Sequence, residues 1–344
     1  MNTNPSWEIP ANWLKIKTID LHTGGEPLRV LVDGLPEIKG KGILAKRRYF
    51  KENLDFIRKG LLWEPRGHAD MYGAVITEPQ TADADFGTFF LHNEGYSTMC
   101  GHAIIALVKL VLDTGMIQKQ GNTPQLIIDA PPGKIIAQAF RENGVVQKAS
   151  FLNVPSFVYA LDKTIFLEEI GEVHFDIAFG GAFYAFVEAS SIGLDMNSKN
   201  YLQQIDWGRK IKLAIGEQIK IQHPFEEDLS FLYGTIFIGK ADNEKHHSKN
   251  TCIFANGELD RSATGSGVSA RAALHFAKGE INIGQSIRIE SIVGSVMDVA
   301  VVEQVRFGNF DAVIPRVSGE AYFTGKHEFF FDPKDPFKQG FIFR

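Results

Sequence analysis

The chain has 344 residues, of which 44% are apolar and 22% charged, with a formal net charge of −5. That length suffices for one or two sizeable cores. The mild negative charge, with Lys and Arg scattered along the chain, gives no basic footprint for nucleic acid or for an anionic membrane surface. No apolar run approaches the roughly 18 residues of a membrane helix. The opening MNTNPSWEIPANWLK, with two prolines and no apolar core, is not expected to be a signal peptide. Two cysteines are too few for a disulfide framework, so a reduced, cytoplasmic setting is expected.

In chain order, the first feature is LHTGGEPLRVLV (21–32), a glycine pair followed by a β-like run. Phe50, Leu54, Ile57 and Leu61 then recur at helical spacing and predict one amphipathic helix. GAVITE and GTFFLHN read as strands. STMCGHAIIALV (97–108) is a small-residue turn opening a helix that ends near Gly115, and KIIAQAF is a further strand. The second half repeats this order. AFGGAFYAFVEA places Gly180–Gly181 156 positions after Gly24–Gly25, YLQQIDWGRKIKLAIGEQ (201–218) reads as a helix, and LSFLYGTIFIG as a strand. RSATGSGVSARAAL (261–274) is again a turn entering a helix, and SIRIESIVGSVMDVAVV and EAYFTG are β-like. Setting Cys100 on Thr264, 164 positions apart, also matches Gly101 with Gly265, Ala106 with Ala270, Leu110 with Leu274 and Gly115 with Gly279. The last pair falls where a helix C-cap is expected in both copies. With 33 glycines and 27 phenylalanines, the chain predicts many tight turns and a β-rich aromatic core.

The expected fold class is therefore α+β, in two pseudo-symmetric halves that each wrap a β-barrel-like sheet around a central helix. The first half covers 1–168 and carries Cys100; the second covers 169–324 and carries Thr264. A tail of about 325–344 is free to pack back on the first half.

A turn such as CGHA or TGSG leaves the first N–H groups of its helix unpaired, and with the helix dipole these form a site for a carboxylate. A thiol there is expected to have a lowered pKa. Other readings compete. A free cysteine is most often a small buried hydrophobe. His68, His92 and His102 lie near Cys100 in sequence, but Cys-x-His matches no common zinc spacing. TGSG lacks the lysine of a phosphate loop, and the context of Cys100 is not that of a papain-like peptidase. Glu64 to Asp70 reads as a turn marked by Pro65 and Gly67, His246–His247 as a solvated loop, and Cys252 as a strand residue in the core. If the two helix N-termini face each other, a small zwitterion between them has its carboxylate held from both sides, with Cys100 and Thr264 on opposite faces of its α-carbon.

Several motifs in order resemble the proline racemase family, which includes hydroxyproline epimerases and trans-3-hydroxy-L-proline dehydratases. They are IDLHTGGEPLRV (19–30), EPRGHADMYGA (64–74), MCGH (99–102), FGGAFYAFV (179–187), DRSATGSGVSA (260–270) and ESIVGS (290–295). The resemblance implies a diaminopimelate-epimerase-like fold, no cofactor and a homodimer; from the spacing weighed above, no metal is expected. Racemases and epimerases of this family carry a cysteine in each turn. Here Thr264 stands in the second place, as in the dehydratases. The same resemblance makes Cys100 the proton acceptor and places the N–H groups of Gly101, His102, Gly265 and Ser266 on the carboxylate. Asp260 is implied on the ring amine, His102 as a further orienting group, and Phe254 as a wall for the ring. The expected activity is a hydro-lyase forming Δ1-pyrroline-2-carboxylate. The alternatives are a racemase or 4-hydroxyproline epimerase, and a non-catalytic binding module for proline-like amino acids.

Overall fold

A computed structural model describes residues 7–343, so the first six residues of the N-terminal stretch considered above lie outside it. The glycine pairs shape the first elements of each half. Leu14–Thr23 and Glu26–Asp33 form an antiparallel hairpin whose turn is Gly24 (φ +59°) and Gly25 (φ +91°). Residues with a Cβ rarely adopt such angles. Gly171–Phe179 and Phe183–Glu188 form the matching hairpin around Gly180–Gly181.

The strand pairings close into two rings. In the first, Leu14–Thr23, Glu26–Asp33, Gly73–Thr77, Phe86–His92, Gln125–Ala130, Gly133–Glu142 and Val145–Leu152 pair in chain order. The last part of Phe310–Gly319 pairs with Val145–Leu152, and Ala321–Phe331 pairs with Leu14–Thr23, so the C-terminal strands complete this ring. In the second ring Ser156–Leu167 precedes Gly171–Phe179 and Phe183–Glu188. Leu232–Gly239, Ser248–Phe254, Ser286–Glu290, Val296–Phe307 and Phe310–Gly319 follow. Val313 and Ala312 then pair with Ser156 and Phe157 to close it. In both rings the two parallel pairings fall at the same places, next to the hairpin and again two strands later. The strand that seals each ring against its first hairpin comes from just before the hairpin in one case and from the chain's end in the other.

Five α-helices accompany the described strands: α1 (Ile43–Asn53), α2 (Asp55–Leu62), α3 (Gly101–Asp113), α4 (Tyr201–Gln218) and α5 (Gly265–Ala277). The predicted helix through Phe50 and Leu61 is in fact two. Leu54, at φ −126°, ends α1 with its N–H on the Phe50 carbonyl, and α2 starts at the next residue. All four apolar side chains remain buried, because the spacing that brings them to one face spans the break. SIRIESIVGSVMDVAVV likewise divides into two strands around a Ser291–Ser295 turn. His246, expected in a solvated loop, is half-buried and pinned to Glu290 (Nδ1 to Oε1, 2.6 Å), while His247 is exposed.

α3 and α5 are the helices inside the rings. Residues 101–112 of α3 and 265–274 of α5 are all buried, as the near-continuous apolar sequence of α3 requires. Both helices have 13 residues, and Gly115 and Gly279 follow them with φ of +74° each. Their N-termini abut. A Cβ placed on Gly101 would lie 2.5 Å from the Cα of Gly265, and the reverse also holds. Backbone cannot yield there as a flexible side chain would. Gly101→Ala is therefore expected to destabilise the protein by about 1–3 kcal/mol. Gly216→Ala, at a helix position with open space, is expected to be neutral or slightly stabilising. Denaturant melts of the two variants check the pair, and equal midpoints would count against the close approach.

Candidate active site

Where α3 and α5 meet, Tyr72, Cys100, His102, Tyr184, Tyr233, Phe254, Asp260 and Thr264 line a small cleft with Met99, Gly101, Gly265 and Ser266. Its free volume is about 20 Å³, far below the roughly 300–1,000 Å³ of pockets for drug-sized ligands. All eight residues expected from the sequence are brought together here.

Cys100 is the N-cap of α3, in extended conformation (φ −143°). Its sulfur accepts from the Ala103 N–H at 3.3 Å and lies 3.1 Å from Nδ1 of His102. The first intrahelical bonds run from Ile104 N to Cys100 O and from Val268 N to Thr264 O. The N–H groups of Gly101, His102, Gly265 and Ser266 precede those bonds and belong to the converging helix starts. Their partial positive charge favours an anion at this point.

The direction expected for the thiol pKa is corrected by the structure. Cys100 is 4% exposed, and burial pushes its pKa well above the ordinary thiol value. The Ala103 N–H and the Tyr72 hydroxyl pull it down, but the carboxyls of Asp260 and Glu26 push further up. The helix terminus acts as anticipated; desolvation outweighs it. His102 is also buried, and its pKa falls to about 3, so the imidazole is neutral. A neutral ring can accept the thiol proton at Nδ1, while the Pro27 carbonyl takes a hydrogen bond from the ring.

Thr264 is built differently from its counterpart. It has φ +66°, a genuine outlier for a β-branched residue, and its hydroxyl caps nothing in α5. Instead Oγ1 donates to Oδ2 of Asp260 at 2.8 Å. Asp260 Oδ1 accepts the Ser262 N–H at 2.7 Å. Burial raises the Asp260 pKa to about 6, with the Ser262 and Thr264 hydrogen bonds and Arg261 opposing it. Ser266 Oγ and the Tyr184 hydroxyl are 2.7 Å apart, which fixes the start of α5 against the sheet. Phe254 stacks on Tyr233 with centroids 5.4 Å apart and forms an apolar wall.

Three contacts tie the two rings together beside the cleft. Arg261 pairs with Asp70 (2.5 Å), its backbone N–H donates to Glu26 Oε2 (2.7 Å), and His92 Nδ1 meets Glu258 Oε1 (2.9 Å). The Glu64 to Asp70 segment thus serves as a turn that presents Asp70 to the other half. Of the three histidines weighed for a metal, His92 is engaged by Glu258, His68 is exposed and His102 sits at the thiol. Cys252 is a fully buried strand residue, opposite Asp260 in the ladder. Both cysteines are free. Among the described residues, no helix is long and apolar enough to cross a membrane.

Sequence reasoning missed the three tyrosines of the cleft. Tyr72 and Tyr184 lie within quoted motifs, at the ends of HADMY and FGGAFY, and their place beside glycine-bearing turns was the available signal. Tyr233, at the start of a plain strand, gave none.

The proline racemase family model matches residues 18–342. The chain is 52% identical to a trans-3-hydroxy-L-proline dehydratase of Colwellia psychrerythraea, over 97% of this chain and 94% of that protein. It is 43% identical to the Homo sapiens trans-3-hydroxy-L-proline dehydratase, over 96% and 95% of the two chains. Among solved structures, a hydroxyproline epimerase from Agrobacterium vitis with bound trans-4-hydroxy-L-proline superposes with a TM-score of 0.90 at 27% identity, covering 96% of each chain. A probable proline racemase from Agrobacterium radiobacter with bound carbonate gives 0.91 at 26% identity, over 95% and 96%. The paired rings around abutting helices and a match over nearly the whole length lead to one conclusion: the chain is a member of the proline racemase family, with that family's α+β, diaminopimelate-epimerase-like fold.

Proposed function

We propose that the protein dehydrates trans-3-hydroxy-L-proline to Δ1-pyrroline-2-carboxylate, with Cys100 as the base. The observation that carries this reading is the asymmetry of the two helix starts. One offers a thiol beside an imidazole; the other offers a hydroxyl already donated to Asp260. Inverting a stereocentre needs an acid on one face of the α-carbon and a base on the other, and an alkyl hydroxyl is too weak for either task. Elimination needs a single base. In trans-3-hydroxy-L-proline the α-hydrogen and the 3-hydroxyl share a face of the ring. The names of the relatives at 43–52% identity agree with this substrate.

In this reading the carboxylate sits on the N–H groups of Gly101, His102, Gly265 and Ser266, which take up charge as the α-carbon loses its proton. Asp260 holds the ring ammonium. That cation supplies the positive charge the resting site lacks, and it favours the thiolate over the thiol, the displaced proton passing to solvent. Sγ then takes the α-hydrogen, the C–H electron pair forms the Cα–Cβ double bond, and the C3–O bond breaks. The hydroxide leaves as water with the proton that Sγ has just taken, which restores the thiolate. The enamine product tautomerises to the cyclic imine. Incubation with trans-3-hydroxy-L-proline and detection of the imine tests the reading. Loss of optical rotation with proline in place of imine would support an isomerase.

A pH dependence follows from Asp260. With its pKa at about 6, the carboxyl is ionised above that value and neutral below it. Only the ionised form pairs with the ammonium, so kcat/KM is expected to fall about tenfold per pH unit on the acid side of pH 6. Asp260→Asn is expected to lower kcat/KM and to flatten that limb. A limb that persists unchanged in the variant would assign it to another group.

A further inference from the structure

Tyr72 lines the cleft and has no part in the proposed chemistry. It follows the Glu64 to Asp70 turn and is 3% exposed. Its backbone carbonyl accepts the Arg29 N–H at 2.9 Å, which ties it to the Glu26–Asp33 strand. Its hydroxyl donates to Ser97 Oγ at 2.6 Å, and that Oγ donates in turn to the Met99 carbonyl at 3.1 Å. Met99 is the residue before Cys100. The Ser97 carbonyl is held separately by Nη1 of Arg47 at 3.1 Å, so the serine is fixed through its backbone as well as its side chain.

The ring of Tyr72 reaches the other side of the thiol. It meets the His102 imidazole edge to face, with centroids 4.8 Å apart, and His102 Nδ1 lies 3.1 Å from Sγ of Cys100. Further hydrogen bonds join the same hydroxyl to Tyr233 and to the thiol itself. One side chain therefore braces the residue before Cys100 and the imidazole beside its sulfur. The thiol has little else to hold it. Its cap bond from the Ala103 N–H, at 3.3 Å, is a weak one because sulfur is a poor acceptor. Proton transfer between sulfur and carbon is meanwhile sensitive to misplacement of about 1 Å.

We infer that Tyr72 is a positioning residue, which through Ser97 and His102 holds the Cys100 thiol in line with the α-hydrogen of the substrate. The inference rests on the reading of Cys100 as the base of a 3-hydroxyproline dehydratase. The proton of the Tyr72 hydroxyl is engaged by Ser97, so its role lies with the turn that presents the thiol rather than with the ligand.

The test compares Tyr72→Phe and Ser97→Ala, singly and together, with the unmodified full chain. Tyr72→Phe keeps the ring on His102 and removes the first bond of the relay; Ser97→Ala removes both. Each is expected to lower kcat for trans-3-hydroxy-L-proline about tenfold while leaving KM within twofold, since the substrate's own contacts are kept. The double variant is expected to match Ser97→Ala, because the two bonds act as one unit. Losses carried by KM, losses that multiply in the double variant, or a kcat within twofold of the parent in either single variant would overturn the inference. All rates are read well below each melting midpoint, and recovery of the parent's kcat on cooling would likewise overturn it.

The reaction of the unmodified protein separates the two levels. If imine forms and the variants lack this pattern, the positioning role alone fails. If the protein racemises L-proline in place of forming imine, and Tyr72→Phe slows that reaction through kcat, the dehydratase reading fails and the positioning role stands. If neither reaction occurs, both are overturned.

Discussion

Replacing Cys100 with serine is expected to lower imine formation from trans-3-hydroxy-L-proline by about 10²–10⁴-fold while leaving the melting temperature nearly unchanged. The loss follows from acidity: a general base positioned on the α-hydrogen contributes about that factor, and an alkoxide is inaccessible where a thiolate can form. The stability follows from the cap. The sulfur accepts from the Ala103 N–H, and a serine oxygen is among the best acceptors for that role. Stopped assays on variant and parent, with a melt of each, check both halves of the expectation. Activity within tenfold of the parent would remove Cys100 from the mechanism. The same burial has a second consequence. With its thiol held neutral and 4% exposed, the resting protein is expected to react with iodoacetamide far more slowly than a thiol lowered by its helix alone.

That contrast shows where the sequence stops being informative. A turn of small residues ahead of an apolar run predicts a helix N-terminus, and Gly115 and Gly279 predict its end; both are local facts, and the structure returns them with the same φ. The glycine pairs at 24–25 and 180–181 were legible for the same reason. The break at Leu54 was not, since no glycine or proline marks it and the apolar spacing runs straight through. Beyond the expectation that a tail of about 325–344 packs back on the first half, the strand and register of ring closure were also out of reach. The pairing of Ala321–Phe331 with Leu14–Thr23 joins residues about 300 positions apart, and nothing in either segment names the other. The thiol's pKa depends on the abutting helices and on the carboxyls of Glu26 and Asp260, a crowding that exists only once the rings meet. The chemistry of each turn could be read alone; the dielectric of their interface could not.

Thr264→Cys asks whether the two turns face each other across a bound α-carbon. The variant replaces a β-branched residue at φ +66° with an unbranched one, so the backbone is expected to tolerate it. It removes the hydroxyl that donates to Asp260 at 2.8 Å, which leaves that carboxylate short of one partner until the ring ammonium arrives. The new thiol stands at the start of α5, where the N–H groups favour its anion as they do for Cys100. With an acid or base then on each face, the variant is expected to exchange the α-hydrogen of L-proline with solvent deuterium and to form some D-proline under reducing conditions, at least tenfold above the parent. The absolute rate is expected to stay low, because proton transfer between sulfur and carbon is sensitive to misplacement of about 1 Å. Chiral chromatography after long incubation reads the outcome. A folded variant that still dehydrates 3-hydroxyproline yet forms no D-proline would place Thr264 off the axis of inversion. In that case its bond to Asp260, which holds the carboxylate for the ring amine, would be the whole of its role.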